Sequence, residues 1–173
     1  MNSRQKGKRG GMRILGIDPG TKCGWALRDP SGTMTSGVWD LAVKRHESAG
    51  MRFIRLRGHL NEIYNATPFD LLAYEEVRRH MGTDAAHIYG GIVAVIQEWC
   101  VEIYDQQEVA ANHIGIPVGT IKKFATGKGN AGKAVMMDAA HVKWGEFGPL
   151  NGDDNEADAR WIAEYAAQEY GNI

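Results

Sequence analysis

The hydrophobic pattern changes period along the chain. Arg13 to Ile17 is an apolar run of strand length that stops at Asp18-Pro19-Gly20. Gly24–Arg28 and Thr33–Trp39 read as two more strands, joined through Asp29-Pro30-Ser31-Gly32, a strong turn signal. Strands this close predict antiparallel hairpins. Phe53, Leu56, Leu60 and Ile63 then fall at helical spacing, which predicts an amphipathic helix over Glu47–Asn65. Phe69–Tyr74 is a short apolar strand closing on Glu75-Glu76. Thr83-Asp84 starts a helix through IYGGIVAVIQEWC, where Gly90-Gly91 weakens the helix but admits close approach by another backbone.

The stretch Val101–Gly119 carries two patterns. Ala111, Gly115 and Ile121 match the small residue, turn glycine and buried aliphatic of a helix-turn-helix, but Pro117 in the second helix opposes it. The preferred reading is a helix ending near His113-Ile114-Gly115 and a strand over Val118–Phe124. A Gly-rich loop, TGKGNAGK, follows. Ala134–Trp144 reads as helix, Gly145–Gly152 as loop and Glu156–Tyr170 as a final helix. Hairpins followed by alternating helix and strand predict an α/β fold, a mixed sheet of about five strands covered on both faces. Residues 13–173 have the size of one domain. Residues 1–12 are basic and Gly-rich; they read as a disordered arm, or as an artificial leader ahead of a natural start at Met12.

The net charge of −1 decides little, but its distribution is informative. Val109–Met137 has no acid and contains Lys122, Lys123, Lys128 and Lys133. Lys44, Arg45, Arg52, Arg55 and Arg57 crowd a second stretch, while acids gather at Glu98–Glu108 and Asp153–Glu169. Such segregation suits a polyanion on one face; for any one run, a solvated helix face is the simpler explanation. The two cysteines, Cys23 and Cys100, have no metal-like spacing and fit a reducing cytoplasm. No apolar run is long enough to span a bilayer, and no membrane association is expected.

The candidate chemistry lies in the carboxylates. Asp18 and Glu75 both close apolar strands, and strand ends of α/β sheets are where sites form. In Asp153-Asp154-Asn155-Glu156-Ala157-Asp158, Asp153 and Glu156 fit a capping box. Asp154 and Asp158 share one helix face. Ile162 and Ala166 extend an apolar stripe from Asp158, so its charge lies at the edge of a buried face and needs a cation. Carboxylates from distant segments suit Mg²⁺ or Mn²⁺, and two such ions roughly 4 Å apart serve phosphodiester hydrolysis. The glycines of TGKGNAGK allow backbone to approach a phosphate, with Lys128 and Lys133 beside it. Alone, that loop would read as a surface turn. It is not a Walker A motif, because no Ser or Thr follows the lysine.

ILGIDPGTKCGWAL, LLAYEEV, VGTIKKFATGKGNAGK and DDNEADARWIAEY, in that order, resemble the RuvC-type Holliday-junction resolvases of the RNase H-like superfamily, and the loop with NEADA is most similar to bacteriophage versions. The resemblance covers most of the chain after Met12. It implies an RNase H-like fold and a homodimeric endonuclease of the bacterial cytoplasm, possibly phage-encoded. The implied substrate is branched DNA, above all four-way junctions, cut with two Mg²⁺ ions per site (Mn²⁺ substituting) and no organic cofactor. It places metal ligands on Asp18, Glu75 and Asp158 and active-site lysines on Lys122 and Lys133. Where the bacterial pattern has a further Asp three residues before the last, this chain has Asn155, and Asp154 is the substitute by charge. Catalytic roles thus fall to Asp18, Glu75, Asp154, Asp158 and Lys133, and DNA contacts to Lys122, Lys123, Lys128, Arg78 and Arg79. An aromatic wedge after the fourth strand is replaced by Arg78-Arg79-His80, which implies recognition by branch shape and charge.

Three other readings compete. GIDPGT also resembles the first phosphate loop of actin-like ATPases and sugar kinases, but no second Asp-Gly loop follows. A DNA-structure-binding module without cleavage is the non-enzymatic alternative, opposed by the retained acids. A single-strand exonuclease of the same superfamily is separable only by substrate tests.

Overall fold

The computed structural model describes residues 11–78, 82–105, 113–147 and 152–171. The first strand, β1 (Ile14–Asp18), ends at Pro19, which has no N–H to extend a ladder. β2 (Lys22–Arg28) returns antiparallel beside it, and β3 (Met34–Asp40) pairs antiparallel with β2. The β2–β3 turn forms as its residues predict. The Asp29 carboxylate accepts from the N–H groups of Ser31 (2.9 Å) and Thr33 (3.0 Å), and Gly32 takes a left-handed φ of 93°.

Helix α1 (Met51–Ala66) starts later than its periodicity predicts. Glu47 is engaged ahead of it, accepting from the Lys44 N–H at 2.7 Å and from Arg55. β4 (Leu71–Glu76) lies parallel to β1, and α2 (Thr83–Asp105) follows. Gly91 serves a side chain rather than a backbone: a Cβ there would meet the Phe53 ring at 2.4 Å, whereas Gly90 faces open space.

The stretch after α2 corrects the sequence reading. His113–Pro117 is a strand, β5, parallel to β4, where a helix end was expected. Val118–Thr126 is a helix, α3, where a strand was expected. Val118, Ile121 and Ala125 recur at helical spacing, and packing of the buried Ile121 outweighs the local β-propensity of Val118, Thr120 and Ile121. Pro117, with φ −58°, stands at the N-cap of α3, where its missing N–H costs nothing. α4 (Lys133–Trp144) and α5 (Asp154–Tyr170) complete the order.

The sheet runs β3-β2-β1-β4-β5, mixed and five-stranded as expected. Because strand side chains alternate, one face carries Leu15, Ile17, Cys23, Leu72 and Tyr74 into a core with α1 and α2. The other carries Ile14, Ala73 and Ile116 toward α3, α4 and α5. Helix α5 is buried nearly all round, with Ala159 and Ala163 on the sheet and Trp161 against Phe124 and Trp144.

Both cysteines are buried and free of disulfide bonds; burial pushes the Cys100 thiol up to about 12 and the Cys23 thiol higher still. Among the described residues, no helix is long and apolar enough to cross a membrane.

Candidate active site

Two glycines bring the final helix onto the sheet. A Cβ on Gly16 would lie 2.4 Å from the Ala159 carbonyl oxygen, and one on Gly24 would lie 1.9 Å from that of Asn155. Any side chain there would lift α5 away. Gly24 is the register partner of Asp18, so the first turn of α5 is seated beside the end of β1. On the parallel side Ile17 pairs with Tyr74, which sets Asp18 level with Glu75 one step on. The pleat gives Gly16, Asp18, Ala73 and Glu75 one face, the face of α5.

The first turn of α5 is fixed by Asp153, whose carboxylate accepts from the Asn155 N–H at 2.8 Å. Only half of the expected capping box forms. Glu156 is 2 % exposed and turns instead to β3, where it accepts from the Ser36 hydroxyl at 2.6 Å. Arg160 Nε donates to the same hydroxyl at 2.7 Å, and the Arg160 guanidinium lies 4.5 Å from the Phe147 ring centre. This buried chain sets the rotation of α5 about its axis, which Arg28 reinforces by binding Glu164 at 2.7 Å. Breaking such a buried charged network is strongly destabilising.

Asp158 and Asp154 therefore project toward Asp18 and Glu75. Burial raises the Asp18 carboxyl well above its usual range, and the charges of Glu75, Asp158 and Asp154 raise it further. Glu75 is pushed up to about 7, by burial first and then by Asp158. Asp158 is pushed up to about 6, by burial and then by Asp154. Lys133, the first residue of α4, donates to Asp154 and also lowers Asp18 and Asp158. The Asp154 bond and the surrounding acids raise the Lys133 ammonium. Lys122 on α3 acts on Glu75 and Asp158. All six residues thus act on one spot, at the C-terminal ends of β1 and β4.

The Gly-rich loop is ordered. Gly127 caps α3 with a φ of 79°, the Thr126 hydroxyl accepts from the Lys128 N–H at 3.2 Å, and Ala131 is buried. The loop carries the chain from Lys122 round to Lys133. Lys128 and Lys123 point to solvent, outside the carboxylate cluster. Asn155 is held by Asp153, its amide nitrogen 2.6 Å from the carboxylate. Arg78 is exposed and binds Glu76, which alternates to the face opposite Glu75. Arg79 and His80 lie outside the described residues. In the other basic stretch Arg55 pairs with Glu47, and Arg57 with Glu98 and Glu102 of α2.

Tyr89 was not anticipated from sequence. Its hydroxyl accepts from the Val77 N–H at 2.9 Å and donates to the Glu75 carbonyl at 3.0 Å. A cleft of about 380 Å³ adjoins the cluster, lined by Pro19, Gly20, Thr21, Val77, Ala85, Ile88 and Tyr89.

The donor set suits a hard divalent cation: four carboxylates, of which Asp18, Glu75 and Asp158 are raised by burial and by neighbouring acids, a setting that positive charge would relieve. Among the described residues, no three His, Cys, Asp or Glu side chains already stand close enough to hold an ion. Asp154 is instead bonded to the Lys133 ammonium.

The fold has solved counterparts. T. thermophilus RuvC in complex with a Holliday-junction substrate superposes with a TM-score of 0.71 at 19 % identity, over 92 % of this chain and 98 % of that one. This chain has the RuvC fold. A second T. thermophilus RuvC structure matches at 0.67 and 20 % identity, over 91 % and 96 %. The yeast mitochondrial Holliday-junction resolvase Ydc2 matches at 0.55 and 15 % identity, over 87 % and 77 %. No protein-family profile and no curated relative matches the sequence. The RNase H-like architecture expected from the sequence is thus borne out in this RuvC form.

Proposed function

We propose that this protein is a divalent-metal-dependent endonuclease that cuts branched DNA, four-way junctions above all, as a homodimer. One observation carries the reading: Asp18, Glu75, Asp154 and Asp158, from three separate segments, converge at the C-terminal ends of β1 and β4, where their charges act on Asp18, Glu75 and Asp158 and Lys122 and Lys133 flank them. Proteins of this fold include a RuvC whose structure holds a Holliday-junction substrate and a mitochondrial resolvase, which supports the substrate class. The cleft behind Pro19-Gly20-Thr21 is walled by Val77, Ala85, Ile88 and Tyr89, a poor cradle for nucleotide phosphates.

The four carboxylates would hold Mg²⁺, with Mn²⁺ as substitute, in up to two positions. Bound there, the ions supply Lewis-acid activation of water and of the leaving oxygen. Asp154, rather than Asn155, completes the set: it acts on Asp18 and Asp158, while the Asn155 amide is tied to Asp153. Lys133 and Lys122 face the charge that develops on the phosphate; Lys133, exposed and on a single partner, is free to exchange Asp154 for a phosphate oxygen. Lys123, Lys128, Arg78 and Arg79 extend the DNA contact by charge. A four-way junction offers two equivalent strands and a two-fold dimer offers two equivalent sites.

Labelled four-way junction, Y-fork, flap and linear duplex, each with Mg²⁺, Mn²⁺ or EDTA, test the proposal on one gel. Paired nicks in the junction, abolished by EDTA and accompanied by slower cutting of forks and flaps, are expected. Binding should weaken steeply with salt as phosphate counterions are released. Linear duplex cut as fast as junction, or a monomer at assay concentration, would refute it.

A further inference from the structure

We infer that Tyr89 is a positioning residue that holds Glu75 in register with Asp18. The inference rests on the nuclease reading for its kinetic consequence, but not for its geometry.

β4 ends at Glu76, and β1 has already turned away at Pro19. At Glu75 the strand is still paired with β5 but has lost its neighbour on the β1 side, at the point where its side chain must be placed. The Glu75 carbonyl and the Val77 N–H are backbone groups of the kind a neighbouring strand would normally pair. Tyr89 meets both with one atom. A phenol hydroxyl donates and accepts at once, so it replaces a strand's two groups at 3.0 and 2.9 Å. Tyr89 lies in the second turn of α2, which packs on the opposite face of the sheet from α5. Its hydroxyl therefore links the apolar side of the molecule to the exit of the strand that supplies a carboxylate on the other side. The same ring walls the cleft beside Pro19–Thr21.

Tyr89→Phe removes the oxygen and keeps the ring. Tyr74→Phe is the matched control: it deletes another phenol bond to α2, with Gln97 at 3.0 Å, that does not touch the Glu75 carbonyl or the Val77 N–H. For Tyr89→Phe, junction nicking should fall roughly tenfold in kcat with unchanged KM and DNA affinity, since small misplacement of a reacting group is costly. Tyr74→Phe should keep its kcat. Amide hydrogen exchange on the free protein supplies a second readout. The Val77 amide should exchange slowly in wild type and Tyr74→Phe, and quickly in Tyr89→Phe. An unchanged kcat in Tyr89→Phe, an equal kcat loss in Tyr74→Phe, or a fast-exchanging Val77 amide in wild type overturns the inference. A wild-type protein that nicks no DNA would instead defeat the nuclease reading, and the exchange arm would still decide the clamp.

Discussion

The two faces of the sheet are built differently, and the site follows from the difference. Toward α1 and α2 the strands present Leu15, Ile17, Cys23, Leu72 and Tyr74, and the helices answer with Leu56, Leu60, Ile92, Ile96 and Trp99. Side-chain length holds those helices off the sheet. Toward α5 the strands present Gly16, Gly24 and Ala26, and the helix answers with Ala159 and Ala163. Backbone there meets backbone, so polar side chains at the helix start come within reach of polar side chains at the strand ends. β4 shows both outcomes in adjacent residues. Glu76 turns to the first face and binds the exposed Arg78. Glu75 turns to the second, and its carboxyl is pushed up to about 7 by burial and by Asp158. Close packing makes the site, and large side chains make the scaffold.

The sharpest way to break this contrast is to delete one charge on the close-packed face. Asp158→Asn should lower junction nicking by roughly 10³-fold or more, since cation-assisted charge stabilisation is worth several kcal/mol, while gel-shift affinity is kept. Near-normal nicking would exclude Asp158. Lys133→Ala should come next, losing about 10²–10³ in turnover and much less in affinity. Equal losses in single-turnover rate and Kd would reduce Lys133 to a backbone contact.

Glycine substitutions address the packing itself. Gly24→Ala must displace α5 or β2, which costs about 1–3 kcal/mol of stability and disorganises the site. Gly90→Ala, on a helix surface with open space around it, should gain about 0.5–1 kcal/mol and leave nicking unchanged. Thermal melts with parallel nicking assays separate the two.

The smallest effect is a pH dependence. The usual values of 4.5 for Glu75 and 3.8 for Asp158 rise to about 7 and about 6 in the native state without a cation. Between those limits the native protein holds protons that the unfolded chain has released, so stability falls as pH rises. The melting temperature in EDTA should rise on acidification from above pH 7 toward 5, and saturating Mg²⁺ should flatten the slope. A slope of the opposite sign would contradict the buried, mutually repelling carboxylates.

Much of this was legible in the sequence because it is written in short-range pattern. Ile14–Ile17 before Asp18 and Leu71–Tyr74 before Glu75 announce buried strands ending in acid, and Asp158, Ile162 and Ala166 announce a charge at the rim of an apolar stripe. What failed depended on contacts across the fold. His113–Pro117 is too short for its period to speak, and pairing with β4 makes it a strand. Val118–Thr126 has β-branched residues in a helical rhythm, and burial of Ile121 settles it. Glu156 follows Asp153 at capping-box spacing, yet Ser36 and Arg160 on its far side claim it. Gly16 and Gly24 are visible as glycines in strands, but only α5 explains them. Tyr89 lies in an apolar helix, and its hydroxyl has meaning only beside the exit of β4.

Adjacent glutamates of β4 offer the most direct test of the central claim, that the α5 face alone forms a cation-binding site. Mn²⁺ binding to the DNA-free protein, followed by isothermal titration, should be lost or strongly weakened in Glu75→Gln and retained in Glu76→Gln. Retention in Glu75→Gln, or equal loss in Glu76→Gln, would contradict it.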